Sequence, residues 1–473
     1  MYHSECVPAK RVSPAGGCYN PAVPRWDFSK LPDFLETNLP EYALALVKDL
    51  SLLAQQEGLK LYLVGGGARE LMRAFVEQIA VEKLQYQVFD LDFAIEGSAI
   101  RLGELAAERF GGGLLRNEPF LTATWTTRHG YRVDLATSRK EHYPVPGQLP
   151  EVLGEATIYE DLLRRDFSVN ALAISVSRDN FGELFDPTGG VGDIFTKTLR
   201  VLHSSSLLDD PTRLLRAIRY SLRLNYKLEE QTRILMDQAL NESYLDLLTP
   251  ERIRHEIDCM LAEPMWFGML WTAHTMGVLQ AIHPHWAQPP SVSGRDAEVL
   301  ELGIRNLTSL LEAEMTPPSV VRLSWALQGV DLPHLPDLLQ RIGVHRRIAL
   351  SMLDSREKMD EIIARMNHPG FLPSRVYRVC VEYPRKTLLF TLFNSYLMPG
   401  TEALRSNLMK HLREYSPMRV VVTGDELIEM GLPPGPLVGR VQEELWWNHL
   451  DGNIPDREAA RKKARQLINH YIS

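Results

Sequence analysis

Cysteine is scarce in this chain: Cys6, Cys18, Cys259 and Cys380 are the four in 473 residues, far apart and without paired ligand spacing. That excludes a disulfide scaffold and makes a cysteine-held zinc site a poor fit; reduced thiols are expected. No apolar run approaches the ~20 residues of a membrane span. The first twenty residues, MYHSECVPAKRVSPAGGCYN, lack the apolar stretch of a signal peptide. The expectation is a soluble, cytoplasmic protein. Internal repeats, heptads, the GxGxxG spacing and the Walker Lys-Ser/Thr pair are all absent, and so is any His-Asp dipeptide. An attached phosphohydrolase domain of the His-Asp type is therefore not expected. A surplus of positive charge is missing too: 52 basic against 60 acidic residues leave a net charge of −8. This weighs mildly against a nucleic-acid partner, although a local basic face is what such binding needs. Basic residues do gather late, at Lys410, Arg413 and Arg419, then Arg457, Arg461, Lys462, Lys463 and Arg465. A solvated helix face would look the same.

What the chain has is 45% hydrophobic residues, enough for real cores, and a length that suggests about three or four units of roughly 100–200 residues. Residues 1–35, rich in Pro, Gly and polar groups, read as a flexible leader. A helix is expected near 41–57 and a strand from Lys60 to Val64. That strand runs into Gly65, Gly66 and Gly67, with a helical pattern from Ala68 to about Ile79. A second strand reads from Val88 to Ile95, then a helix over about 98–110, then strands near 113–117, 120–128 and 131–136. Residues 138–158 hold Pro144, Pro146, Gly147, Pro150 and Gly154 and read as a long loop, of the kind that is usually functional or disordered. Beyond about 200 strand signals fade and helices follow, at 210–224, 228–239, 249–262 and onward.

Three features carry chemistry. Asp90 and Asp92 lie in FDLDFAIEG, two apart on a strand and hence on one sheet face. Two such carboxylates stay ionised cheaply when a cation sits between them, and magnesium suits oxygen ligands. Asp134, in RVDLATSR on another strand, supplies a third carboxylate for a two-metal arrangement. Taken alone, the Asp-x-Asp pattern also fits a solvated strand edge. The glycines at 65–67 stand between strand and helix, where backbone N–H groups approach phosphate oxygens and Arg69 could add charge. A plain tight turn is the bland alternative. Asp210 and Arg213, spaced i,i+3, are expected on one helix face. A carboxylate and a guanidinium set together offer an acceptor beside a donor. An ordinary surface salt bridge has the same spacing.

Taken in order, the strand–glycine turn–helix, the paired aspartates, RVDLATSR, EDLLRRDFSVNALAIS, FDPTGGVGDI and DDPTRLLRAIRY closely resemble the class II tRNA nucleotidyltransferase and bacterial poly(A) polymerase family, within the polymerase-β-like superfamily. The specific part covers about 60–260, and TGDELIEMGLPPGPLVG at 423–439 looks like the tail of tRNA-type members. The resemblance implies an α+β fold, with a nucleotidyltransferase head at 36–175, a neck for base recognition at 176–265, a helical body at 266–350 and a tRNA-binding helical tail at 351–473. It implies that Asp90, Asp92 and Asp134 hold Mg2+. By the same resemblance Gly65, Gly66 and Arg69 serve the triphosphate, and Arg165 and Asp166 contact the incoming nucleotide and its ribose. Asp210 and Arg213 read the base, with Arg216 close by. Asp186 to Gly190 would link head to neck, and Thr249 to Ile257 would brace the site. Two departures stand out. Ala68-Arg69-Glu70 replaces the usual Val-Arg-Asp, and the base-reading motif opens with Asp209 rather than Glu.

The implied activity is template-independent addition of CCA to the 3′ end of tRNA from CTP and ATP. A-only addition and poly(A) addition are the family alternatives, and a non-catalytic RNA-binding relative is the alternative of another class. In the family CC-only members lack the loop found here at 138–158, and FLTATWTTRHGYRVD at 120–134 resembles the tRNA type.

Overall fold

The computed structural model describes residues 26–79, 91–418 and 421–472. Asp90, Arg419 and the first 25 residues lie outside these, so the expectations placed on them have no structural counterpart here. The chain divides into two compact units, one running up to Leu248 and the other from Thr249 onward.

The first unit opens with α1 (Leu31–Asn38) and α2 (Glu41–Gln56). Strand β1 (Lys60–Val64) leads straight into α3 (Gly65–Glu77). Next come β2 (Leu91–Glu96) and α4 (Ala99–Phe110), whose start is fixed by Ser98 accepting from the Arg101 N–H and whose end turns at Gly111 with φ 74°. Strands β3 (Gly113–Asn117), β4 (Thr122–Thr126) and β5 (Arg132–Thr137) follow. With β8 (Ala173–Ser175) and β9 (Leu184–Phe185) they form a seven-stranded sheet in the order β3-β4-β5-β2-β1-β8-β9. Strand β2 runs parallel to β5 and antiparallel to β1.

Alternation along the strands sorts the two faces. Leu91, Phe93 and Ile95 of β2 and Val133 and Leu135 of β5 are at most 2% exposed. Helix α4 lies on this face, with Gly103 set so close that a side-chain carbon there would meet Leu114, Ala123 and Leu135 at 2.9–3.4 Å. Asp92 and Asp134 project from the other face.

Residues 138–158 are not an open loop. They form a separate antiparallel hairpin of β6 (Arg139–His142) and β7 (Glu151–Glu155). Pro144, Pro146, Gly147 and Pro150 cluster between these strands and Gly154 lies within β7, so turn chemistry hid the pairing. After it come α5 (Ile158–Leu163), opened by a Thr157–Glu160 capping box, and α6 (Gly190–Thr196). A two-stranded parallel pair, β10 (Thr198–Leu199) with β11 (Lys227–Leu228), encloses α7 (Ser206–Asp209) and α8 (Thr212–Leu224), and α9 (Glu230–Asn241) follows.

The second unit contains only helices and turns among its described residues, beginning with Pro250–Ala262, capped by Thr249. Its last three helices, Gly424–Glu429, Pro436–Leu450 and Arg457–Ile472, share a small core of Leu427, Val441, Leu445, Ala464 and Leu467. Within the late basic clusters, Arg457 and Arg461 both donate to Glu426 and so pin the last helix, and Arg413 donates to the Asn306 carbonyl. No described helix is long and apolar enough to cross a membrane.

Candidate active site

Asp92 and Asp134 are register partners on the parallel strands β2 and β5, so their side chains leave the same sheet face from strands about 4.8 Å apart. Both are half-buried. Thr124, opposite Asp134 on β4, donates its hydroxyl to Asp134 Oδ1 at 2.6 Å. Arg132 adds two nitrogens, with Nε 2.9 Å from Oδ2 and Nη2 3.1 Å from Oδ1. Like-charged neighbours set in this way call for a countercharge, which Arg132 supplies in part.

Gly65 explains how the glycine turn reaches this pair. Its φ is +66°, and a side-chain carbon there would lie 3.0 Å from Asp92 Oδ2. Glycine alone permits both the backbone turn and the approach. Helix α3 starts at that residue, its N-cap residue Val64 supplies no side-chain cap, and Gly66 beside it is half-buried. The first N–H groups of α3 thus open next to the carboxylates.

Arg69 turns inward. It is 2% exposed and donates from Nε to Glu70 at 3.0 Å and from Nη1 to Asn170 Oδ1 at 2.6 Å. Glu70, the acid that departs from the family pattern, is buried between Arg69 and Arg73.

The Arg164-Arg165-Asp166 segment forms a dense ionic knot. Asp161, 1% exposed, accepts from Arg164 at 2.6 Å and from Arg165 at 2.9 Å. Arg164 also reaches Glu141 of the hairpin at 2.8 Å. Asp166 accepts from the Phe167 N–H at 2.8 Å and Asn170 Nδ2 at 3.0 Å on one oxygen, and from Arg216 Nε at 3.0 Å and Nη2 at 2.5 Å on the other. All four acceptor positions are filled. Burial alone would raise this carboxyl, yet the Arg216 charge and the hydrogen bonds hold it down at about 2. Phe167, Val169 and Ala171 are core, each fully buried.

Asp210 and Arg213 do not share a helix face. Pro211 stands at the N-cap of α8, and Asp210 precedes it in extended backbone, φ −135° and ψ 91°. Its Oδ1 accepts from the Thr212 N–H at 3.0 Å and hydroxyl at 2.6 Å. Arg213, 4% exposed, donates to the Ser206 hydroxyl at 2.5 Å and the Arg164 carbonyl at 2.9 Å. The hairpin joins here. Its Tyr143 is pushed up to about 12 by burial and by Glu141, whose carboxylate its hydroxyl meets at 3.2 Å. The Gly147 N–H points to the Asp209 carbonyl at 3.4 Å. From α3, which starts beside Asp92, a series of contacts runs through Arg69 and Asn170 to Asp166 and Arg216 on one side, and through Arg165, Asp161 and Arg164 to Arg213 on the other. Sequence reasoning missed Thr124, Glu141, Asp161 and Asn170. The first could have been found from its alternation beside Asp134; the others act through partners distant in sequence.

Residues 61–200 match the family model for the poly A polymerase head domain. The A-adding tRNA nucleotidyltransferase of Halalkalibacterium halodurans is 30% identical over 93% of this chain and 96% of its own length. The chain belongs to the tRNA nucleotidyltransferase family. The CC-adding tRNA nucleotidyltransferase of Deinococcus radiodurans is 29% identical over 90% of this chain and 93% of its own. A solved CCA-adding enzyme in an apo form superposes with a TM-score of 0.69 at 27% identity, covering 92% of this chain and 97% of that one. The Thermotoga maritima CCA-adding enzyme complexed with tRNA gives 0.63 at 26%, covering 92% and 98%. This transferase is thus an RNA nucleotidyltransferase, with the mixed head and helical remainder that its motifs implied. Among its described residues no group of three metal-ligating side chains occurs; Asp92 and Asp134 are the described part of the carboxylate set, and Asp90 lies outside.

Proposed function

We propose that the enzyme adds the terminal adenosine to tRNA that ends in CC, taking AMP from ATP with release of pyrophosphate. The observation that carries this reading is the in-register pair Asp92 and Asp134, with the Gly65 turn against it and the Asp166–Arg216 and Asp210–Arg213 groups joined to it. Hard carboxylate oxygens side by side on one sheet face fit magnesium, so Asp92 and Asp134, with Asp90, would hold Mg2+. Bound there, the metal would lower the pKa of the attacking 3′ hydroxyl and offset triphosphate charge, as in two-metal transfer.

The chain's own residues do the rest. The first N–H groups of α3 receive the triphosphate. Asp166 holds Arg216 toward the nucleotide, and a ribose hydroxyl would take the place of one Arg216 bond. Arg213, fixed by Ser206 and Arg164, donates to the ring nitrogen of adenine while Asp210 accepts from its amine. Guanine and uracil would leave both groups mismatched, at about 1–3 kcal/mol each. In the second unit, Arg378 stacks over Trp447 at 4.5 Å and Arg375 over Phe371 at 3.8 Å, a pairing of charge and ring suited to an RNA backbone. We assign tRNA binding to 351–473 on this ground.

Addition of AMP alone is favoured over full CCA addition by the H. halodurans relative, an A-adding enzyme over nearly its whole length. Full CCA addition is the second reading, supported by the likeness to solved CCA-adding enzymes. Transcripts of tRNA ending before CCA, after C and after CC, each given CTP, ATP or both with magnesium, separate the two. Extension of the CC transcript alone supports AMP addition; three-nucleotide extension supports CCA addition; no extension removes both.

A further inference from the structure

Asn170, 6% exposed, lies in the short turn Ser168–Asn170 between α5 and β8. The backbone of this turn is firmly placed. Ser168 donates its N–H to the Arg200 carbonyl at 3.0 Å and its hydroxyl to Asp193 at 2.5 Å. Gly190 at the start of α6 packs so tightly that a side-chain carbon would overlap the Ser168 carbonyl oxygen.

On that backbone the two ends of the Asn170 amide have chemically fixed partners. Arg69 can only donate, so the amide oxygen faces its Nη1 at 2.6 Å. The ionised Asp166 can only accept, so the amide nitrogen faces its Oδ1 at 3.0 Å. The Asn170 carbonyl takes a third member of the site, Arg165 Nη1, at 3.5 Å. A ring of contacts then closes on the far side. Arg216 binds the other Asp166 oxygen, and the Tyr220 ring lies beneath both Arg216, at 5.5 Å, and Arg69, at 5.6 Å. Helix α3, which starts beside Asp92, and helix α8, which carries Arg216, are thus bridged by the Asn170 amide, next to the Arg69–Tyr220 ring contact.

We propose that Asn170 is a positioning residue: its amide locks the glycine-turn helix to Asp166 and Arg216, so that the triphosphate and nucleoside ends of the ATP site keep one geometry. The proposal rests on the reading of this site as the ATP site. Neither a carboxylate nor an apolar side chain fits both tasks. Aspartate would accept from Arg69 yet set a second carboxylate against Asp166, and alanine would leave both partners with a lost bond.

The test is a double-mutant cycle of Asn170→Ala and Asp166→Asn, read as kcat/KM for ATP with tRNA ending in CC, and as KM for that tRNA. Asn170→Ala should lower kcat/KM for ATP about tenfold or more, as loss of hydrogen bonds to charged groups implies, with KM for tRNA unchanged. The double variant should be no worse than Asp166→Asn alone, because Asn170 acts through Asp166. Asn170→Asp, the same shape without the donor, should lose more than Asn170→Ala and stands in for it if the alanine variant does not fold. Losses that multiply in the double variant, or Asn170 variants within twofold of wild type, would overturn the positioning role alone. A wild-type enzyme inert with ATP would overturn the reading of the site as well.

Discussion

Replacing Gly65 with alanine tests the closeness of the glycine turn to the carboxylate pair. Two costs can be worked from the geometry. The backbone there has φ +66°, a region that costs an L residue roughly 1–2 kcal/mol. The added carbon would also stand 3.0 Å from Asp92 Oδ2, closer than ordinary carbon–oxygen contact by a few tenths of an ångström. Asp92 must therefore swing, because β2 is held on both sides by β1 and β5. A misplacement of about 1 Å at a reacting centre costs on the order of a hundredfold, so a shift of a few tenths is expected to cost about threefold to tenfold in kcat. The apparent magnesium requirement should rise in step. The assay is single-turnover extension of tRNA ending in CC by ATP across a magnesium titration, beside a melting curve. Loss of stability without loss of rate, or a wild-type magnesium profile, would refute the claim that Gly65 sets the position of Asp92.

Three further outcomes follow from the same geometry. Arg213→Ala should relax the choice among the four nucleotides more than it raises KM for ATP, measured as ratios of kcat/KM; unchanged selectivity would remove Arg213 from base reading. Deleting 144–150, which takes away the hairpin tip beside Asp209, should cut AMP addition at least tenfold while tRNA binding persists in a gel shift; equal loss of both would make the hairpin merely structural. The third concerns acid. The Asp166 carboxyl is held at about 2 against an ordinary 3.8, so its stabilising contribution is complete above the ordinary value and is lost as pH falls from about 4 to 2. Wild type should therefore lose on the order of 2 kcal/mol more stability across that window than Asp166→Asn, measured by denaturant unfolding, and parallel curves would contradict the assignment.

Local signals in the sequence were read well because their causes are local. The apolar run Lys60–Val64 ending in glycine defines β1 and the start of α3, and the alternation in 131–136 defines β5. The side-by-side placement of Asp92 and Asp134 follows from alternation plus a strand pairing that only the fold supplies. Where reading failed, a nonlocal or stereochemical cause had intervened. Asp210 left the helix because Pro211 begins it. The hairpin at 139–155 looked like a loop because its prolines and glycines sit among short polar strands. Asn170 was passed over because it stands inside the apolar run FSVNALAIS and its partner Arg69 is 101 positions away.

The most direct measurement of the central claim is transfer of label from α-phosphate-labelled ATP to tRNA ending in CC, with magnesium, by wild type, Asp92→Ala and Asp134→Ala, each first shown to be folded by circular dichroism. Wild type should lengthen the RNA by one labelled nucleotide, and both variants should fall by at least a thousandfold. Undiminished transfer by either folded variant, or no transfer by wild type, would contradict it.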